Sequence, residues 1–296
     1  MQPIEQQGIL KKAIAGFYYV EAGDSLFECK ARGIFRQQKI QPTVGDQVCF
    51  TVLPNGSGLL TKVLLRKNCL VRPPVANITR LFIVSAENTP APNTQLIDRL
   101  TAIAVCNQIE PVLVFNKCDE GDLTPWAEIY QKSGFRVFVT SAKTGAGCKE
   151  LLQLLQTGVS AFTGNSGVGK SSLLNAMLPQ LNLQTGSVSQ KLGRGRHTTR
   201  TVELFSVGQG YVVDTPGFSS LDIERTMPLF KEQLPAAFPE FEPFLGRCKF
   251  TSCAHIGEKG CAVCAAVSAG QIPSSRYRSY CNIYSEIKDK KPWNQK

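Results

Sequence analysis

The stretch GNSGVGKS, residues 164–171, fits the phosphate-binding pattern G-x-x-x-x-G-K-[ST]. The pattern works only where a strand ends before it and a helix starts at its close, so that backbone N–H groups converge on phosphate oxygens. Both flanks comply: the apolar run VSAFT precedes it and SSLLNAML follows. The candidate cradle is Gly164, Asn165, Ser166, Gly167, Val168, Gly169, Lys170, Ser171 and Ser172. Lys170 is placed to reach the β- and γ-phosphates, and Ser171 to offer its hydroxyl to Mg²⁺.

Three further motifs sit at the ends of short apolar runs. DTPG closes YVV; Asp214 suits Mg²⁺, directly or through water, and the Gly217 N–H suits a γ-phosphate contact. NKCD closes PVLVF and comprises Asn116, Lys117, Cys118 and Asp119. Asp119 can accept hydrogen bonds from guanine N1–H and its 2-amino group, which adenine cannot supply, so the wrong base leaves polar groups unpaired. Asn116 can brace the loop, and the stem of Lys117 can lie over the ring. TSAKTG closes RVFVT, with the backbone of Ser141, Ala142 and Lys143 available to guanine O6.

The order of these motifs is unusual. The base-reading pair precedes the phosphate loop, and DTPG follows it. This is the order of a circularly permuted GTPase domain, which a parallel sheet tolerates when the original termini lie close together at the surface. The permutation leads the switch segments directly into the C-terminal region, so nucleotide state is expected to be felt there, through the junction around Leu221 to Met227. Between the phosphate loop and DTPG lies KLGRGRHTTRTVEL, where Thr198 and Thr199 are candidates to complete the Mg²⁺ shell. Phe218 follows DTPG where many GTPases carry a water-orienting glutamine, so intrinsic hydrolysis is expected to be slow.

The rest of the chain supports a multi-domain α/β protein. GFYYVEA, LFECKARG, QVCFTVL and LLTKVLL read as strands separated by turns, consistent with an OB-type β-barrel, a small sandwich or an SH3-like barrel. VRPPVAN reads as a linker. After it, buried-strand runs alternate with helical patterns, the arrangement of a doubly wound sheet with ligand groups at the strand carboxyl ends. The expected domains are residues 1–70, 71–225 and 226–296. The net charge of +10 favours an anionic partner. No apolar run approaches the length of a membrane span, and MQPIEQQGILKKAIAG contains no signal-peptide pattern. The expectation is a cytoplasmic protein, with no sequence feature that suggests an oligomer.

Of eleven cysteines, five crowd the C-terminal region. CKFTSCAHIGEKGC supplies Cys248, Cys253, His255 and Cys261, a donor set suited to a closed tetrahedral Zn²⁺ site with no position left for water. Cys264 is a rival ligand, and free thiols are the plainer alternative.

Together, the permuted motif order, the GRGRHTT segment, the N-terminal β pattern and the Cys/Cys/His/Cys cluster resemble the bacterial ribosome small-subunit-dependent GTPase A family over nearly the whole chain. The resemblance implies an OB-type barrel, a circularly permuted P-loop GTPase domain and a C-terminal α-helical zinc-binding domain. It implies GTP hydrolysis to GDP in late small-subunit maturation, stimulated by that subunit, with Mg²⁺ and one structural Zn²⁺. It also implies contacts of the barrel and zinc domain with ribosomal RNA. By the same resemblance Thr199 is the Mg²⁺-linked switch threonine, and His197 a candidate to position water. The competing expectation is a nucleotide-gated RNA-binding switch with negligible turnover; a permuted GTPase serving tRNA or membrane targeting is a third.

Overall fold

Strand β1 (Glu5–Ile14) is long enough to serve two neighbours, and this closes the N-terminal barrel. Its first half pairs with β4 (Gln47–Val52) and its second half with β2 (Phe17–Ala22), both antiparallel, with a register shift between Leu10 and Lys12. A bulge of this kind bends a strand and increases its twist. β2 pairs with β3 (Ser25–Ala31), β3 runs parallel to β5 (Gly58–Val63), and β5 returns antiparallel to β4. The closed order β1-β2-β3-β5-β4 leaves no free edge among these five strands. The computed structural model describes residues 5–71, 73–87, 91–183, 202–214, 223–224 and 227–290, with only the backbone of Asp214. It divides into two compact units, Met1–Arg80 with Gln153–Ala161 and Gly193–Phe218, and Leu81–Leu152 with Phe162–Leu192 and Ser219–Lys296.

Alternation puts Leu10, Val20, Cys29, Val48, Phe50 and Leu60 inside the barrel, all fully buried. Each large apolar side chain so placed contributes about 1.5–3 kcal/mol. In the LPNGSG turn, the Asn55 side-chain oxygen accepts from both the N–H and the hydroxyl of Ser57. The connection between β3 and β4 carries the one-turn helix α1 (Ile34–Gln37), anchored by buried Phe35.

The segment expected as a linker is instead a small hairpin. β6 (Cys69–Val71) and β7 (Pro74–Ala76) pair antiparallel, and Val75 also bridges to Val44. Two forces override the linker-like composition. Leu70, Val75 and Ala76 are buried, and the Asn68 amide exchanges two 2.9 Å hydrogen bonds with the Ile78 backbone, mimicking a strand partner.

In the second unit, β8 (Arg80–Ala86), β9 (Glu110–Asn116) and β10 (Arg136–Thr140) lie in the order β10-β9-β8, with β10 and β9 parallel. Residues 111–116 are buried without interruption, as a strand covered on both faces requires. Helices α2 (Thr94–Cys106), α3 (Thr124–Lys132) and α4 (Cys148–Leu155) occupy the connections. Asn93 caps α2 by accepting the Leu96 N–H. β11 (Thr157–Thr163) leads into the phosphate loop and helix α5 (Lys170–Met177).

The first unit is completed by the hairpin β12 (Glu203–Val207) and β13 (Gln209–Asp214). Residues 157–160 of β11 run parallel to β13, and β12 meets β1 at Lys12↔Glu203. The Lys12–Glu203 ion pair at 2.6 Å and the Tyr211 hydroxyl on Glu21 at 2.6 Å reinforce the contact between barrel and hairpin.

Proline-rich 3-10 turns at Pro235–Ala237 and Pro239–Phe244 lead to α6 (Ala262–Ser268) and α7 (Ser274–Ile287). Phe238, Phe241 and Tyr280 pack ring against ring with centroids 4.8–5.3 Å apart. Beside them the fully buried Arg276 of α7 donates to Asp98 of α2 at 2.6 Å and to Glu240 at 2.7 Å. Three aromatic rings surround its guanidinium at 4.4–5.6 Å. Removing one partner of such a buried pair costs about 3–5 kcal/mol. Among the described residues no helix is long and apolar enough to cross a membrane.

Candidate nucleotide and metal sites

The parallel register that aligns Thr140 with Asn116 brings the ends of β9 and β10 side by side, and with them NKCD and TSAKTG. The Asn116 side chain is buried, and both its polar atoms are hydrogen-bonded. Its Nδ2 donates to the Val168 carbonyl of the phosphate loop at 2.9 Å. Its Oδ1 accepts the Ala142 N–H and the Thr140 hydroxyl, each at 3.2 Å. One amide therefore ties three loops together: its own, the S-A-K turn and the phosphate loop. The Cys118 N–H adds a bond to the Thr140 carbonyl at 3.0 Å.

Asp119 lies at the exposed rim, where the Ser141 hydroxyl donates to Oδ1 at 2.5 Å and the Lys143 ammonium approaches Oδ2 at 3.8 Å. The Ser141 hydroxyl, foremost, holds the Asp119 carboxyl below its ordinary pKa. This favours the ionised, acceptor-only carboxylate, oriented by the Ser141 hydroxyl. Lys117 adopts φ +69°, and its ammonium lies 3.6 Å from Glu120.

The phosphate loop has the backbone its glycines foretell. Gly164 has φ +140°, and a Cβ there would stand 2.1 Å from the Val84 carbonyl oxygen. Gly169 has φ +90°, and a Cβ there would stand 2.4 Å from Asn116 Nδ2. The second contact explains why the loop and the base-reading motif constrain each other. Gly164 and Val168 are buried, Asn165 is half-buried, and Ser166 and Gly167 lie on the exposed rim. Lys170 donates to the carbonyls of Gly164 and Asn165, both at 2.7 Å, and burial lowers its pKa. Ser171 and Ser172 occupy the first turn of α5. Asp214 is the last residue of β13. Gly217 and Phe218, like His197, Thr198 and Thr199, lie outside the described residues.

Cys248, Cys253, His255 and Cys261 converge with all four donor atoms within 4.8 Å of one another. The Cys248 and Cys261 sulfurs are 3.9 Å apart, and each is 3.5 Å from His255 Nδ1. A tetrahedral Zn²⁺ with ordinary bond lengths has edges of about 3.8 Å between sulfurs and about 3.6 Å from sulfur to nitrogen. The cluster is therefore compatible with a zinc ion. Cys264 falls outside this group: its thiol meets the Tyr277 hydroxyl at 3.2 Å.

The electrostatics differ from donor to donor. Burial opposes ionisation of Cys248, but N–H donors led by Ala262, whose nitrogen is 3.3 Å from the sulfur, reverse this and lower its pKa. Burial raises the pKa of Cys253 and of Cys261, despite the Cys264 N–H directed at the Cys261 sulfur. Burial also lowers the His255 pKa, which keeps the imidazole neutral and able to ligate. Glu258 shapes the loop by accepting the N–H groups of Ala254 and Ile256, and the Tyr280 hydroxyl donates to the Ala254 carbonyl. Neither Glu258 nor Tyr280 carries a motif signal. Their roles arise from contacts that only folding creates.

The RsgA GTPase family model matches residues 63–224, and the RsgA N-terminal domain model matches residues 7–60. A Geobacillus sp. protein named small ribosomal subunit biogenesis GTPase RsgA is 44% identical over 292 residues, covering 97% of this chain and 99% of its own. The Moorella thermoacetica protein of the same name is 45% identical over 284 residues, covering 95% and 97%. The crystal structure of YjeQ from Thermotoga maritima aligns with a TM-score of 0.83 at 36% identity, covering 97% of this chain and 100% of that one. YloQ, described as a circularly permuted GTPase, aligns with a TM-score of 0.81 at 33% identity, covering 98% and 97%. With both models matched and these likenesses spanning nearly the whole chain, the protein belongs to the RsgA GTPase family.

Proposed function

We propose that this chain is a GTP hydrolase of small ribosomal subunit biogenesis, activated by the subunit it helps to mature. The observation that carries the nucleotide reading is the Asn116 amide, which joins the base-reading loops to the phosphate loop despite their permuted order. The biological role rests on the name carried by full-length relatives.

In this reading Asp119 selects guanine, with the Lys117 stem along the ring and the 141–143 backbone at O6. The N–H groups of residues 164–172 and the Lys170 ammonium take the phosphates. Ser171, Thr199 and Asp214 would hold Mg²⁺, which when bound neutralises charge developing on the phosphoryl oxygens. Gly217 reads the γ-phosphate, and His197 positions water when the subunit is bound. Cys248, Cys253, His255 and Cys261 would hold one structural Zn²⁺, which fastens the segment 248–261, where the chain forms only turns and bends. The partner is the small subunit with its ribosomal RNA, reached in the cytoplasm by a monomer built as 1–70, 71–225 and 226–296. The positive net charge supports an RNA partner.

The test is binding to purified small subunits in two nucleotide states. Salt-sensitive binding with a non-hydrolysable GTP analogue, lost with GDP, is the expected result. Equal binding in both states would sink the proposal of a nucleotide-gated factor.

A further inference from the structure

In sequence, the β12–β13 hairpin lies between two segments with candidate roles at the γ-phosphate: β12 starts shortly after Thr198 and Thr199, and β13 ends on Asp214. In the fold it belongs to the unit of the barrel. Strand β11 accompanies β13 only from Gln209 to Val212. Beyond that point Val213 and Asp214 pair with Leu204 and Glu203 of β12, and Glu203 pairs in turn with Lys12 of the barrel. Asp214, Glu203 and Lys12 thus form one row across three strands. Two acids opposite one another weaken such a row. The Lys12 ammonium, 2.6 Å from the Glu203 carboxylate, offsets them.

A single register pair joins β12 to β1, and side chains supply the rest of the grip. The bulge in β1 leaves Lys11 without a partner on β2. Successive strand residues otherwise point to opposite faces, and a bulge re-aims one of them. Here both lysines reach the hairpin, Lys12 at Glu203 and Lys11 at the Ser206 hydroxyl oxygen, 2.7 Å away. Glu21 of β2 completes the knot. Its Oε1 accepts from Lys11 at 3.1 Å and from the Ser206 hydroxyl at 3.3 Å, and its Oε2 from the Tyr211 hydroxyl at 2.6 Å. Ser206 and Tyr211 are a register pair, so one carboxylate holds both strands of the hairpin. Lys11 and Glu21 are 18% and 24% exposed, too covered to act as a loose surface pair. Burial opposes ionisation of Glu21, but Tyr211, Lys11 and Ser206 outweigh it and lower its pKa.

Displacing a reacting group by about 1 Å can cost about 100-fold in rate, even when the cause lies far from the chemistry. We propose that Glu21 and Lys12 are positioning residues for GTP hydrolysis, through which the barrel sets the hairpin and with it Asp214 at the end of β13. The inference rests on the proposed role of Asp214 and extends it, since part of the hydrolytic geometry is then built by the barrel.

The experiment measures kcat and KM for GTP in the full-length, zinc-loaded protein with saturating purified small subunits. The variants are Glu21→Gln, which keeps the shape and removes the charge, Tyr211→Phe, Lys12→Glu, and the swap Lys12→Glu/Glu203→Lys. Glu21→Gln and Lys12→Glu are each expected to lower kcat about tenfold with KM little changed, and Tyr211→Phe to lower it less. GDP affinity should stay at the wild-type value, which also shows that each variant is folded. Amide exchange across residues 203–214 should rise in Glu21→Gln, and the swap should recover most of the kcat lost in Lys12→Glu. Wild-type kcat in Glu21→Gln would overturn the proposal. So would a kcat loss matched by an equal loss of GDP affinity, or a swap no better than Lys12→Glu. Should Glu21→Gln not fold, Tyr211→Phe decides by the same measure of kcat against GDP affinity. Subunits that fail to stimulate even the wild type would count against the wider function, and the variants would then be compared in their unstimulated turnover.

Discussion

The guanine corner and the cysteine cluster each gather distant loop residues onto one point, but they are held together by different means. At the guanine corner the protein supplies its own closure: Asn116 satisfies a carbonyl, an N–H and a hydroxyl from two other loops, and Gly169 makes room for it. At the cysteine cluster three thiols and an imidazole face one another, and burial leaves two of the thiols reluctant to ionise. The first arrangement is held by hydrogen bonds, whereas the second gathers a donor set compatible with a cation. Ligand-free protein should therefore keep the first and lose the second when the metal is stripped.

Metal removal separates them most strongly. Structural Zn²⁺ sites contribute on the order of 10 kcal/mol to folding. Chelation, or Cys261→Ala, is expected to abolish bound zinc and to raise amide exchange across residues 248–261 by orders of magnitude. GDP affinity should change no more than about twofold, since no cluster residue touches the guanine corner; an equal collapse of both would break the contrast. Asn116→Ala should do the reverse. It leaves the Val168 carbonyl, the Ala142 N–H and the Thr140 hydroxyl unpaired, at about 1–3 kcal/mol for each group that water cannot reach. A loss of about 100-fold in GDP affinity is expected by calorimetry, with zinc content unchanged. A smaller effect, of about 1–3 kcal/mol, is expected for Gly169→Ala, which must hold a Cβ at positive φ against the Asn116 amide. Differential scanning calorimetry in the presence of GDP would measure it.

The gentlest probe is pH. The Asp119 carboxyl is held below its ordinary pKa first by the Ser141 hydroxyl. If Asp119 reads guanine as proposed, recognition is expected to be complete above the usual carboxylate range and to be lost only as pH falls through the depressed value. Ser141→Ala removes the main cause of that depression, so its loss of GDP affinity should begin at a higher pH. Superimposable acid limbs for wild type and variant would show that Ser141 does not tune Asp119.

What could be read in advance differs between the two regions for the same reason that their stability does. The phosphate loop is contiguous, and its glycine spacing announces φ values found at Gly164, Gly167 and Gly169. NKCD and TSAKTG could be placed because both close strongly apolar runs. Their union through the Asn116 amide could not, since nothing local marks Val168 as its partner. The donor set Cys248, Cys253, His255 and Cys261 was legible with Cys264 as its rival, and the fold gathers those four while the Cys264 thiol meets the Tyr277 hydroxyl. The hairpin at 69–76 was hidden by its prolines, because the forces that fold it come from Asn68 and Val44 outside the segment. The Arg276 clamp joins residues 178 positions apart and left no sequence trace.

The most direct measurement is steady-state GTP turnover by zinc-loaded protein, with and without purified small subunits, for wild type and His197→Ala. The account predicts slow turnover alone, strong stimulation by the subunit, and loss of that stimulation in the histidine variant with GDP affinity intact. Turnover that is unchanged by the subunit, or already fast without it, would contradict a ribosome-activated GTPase.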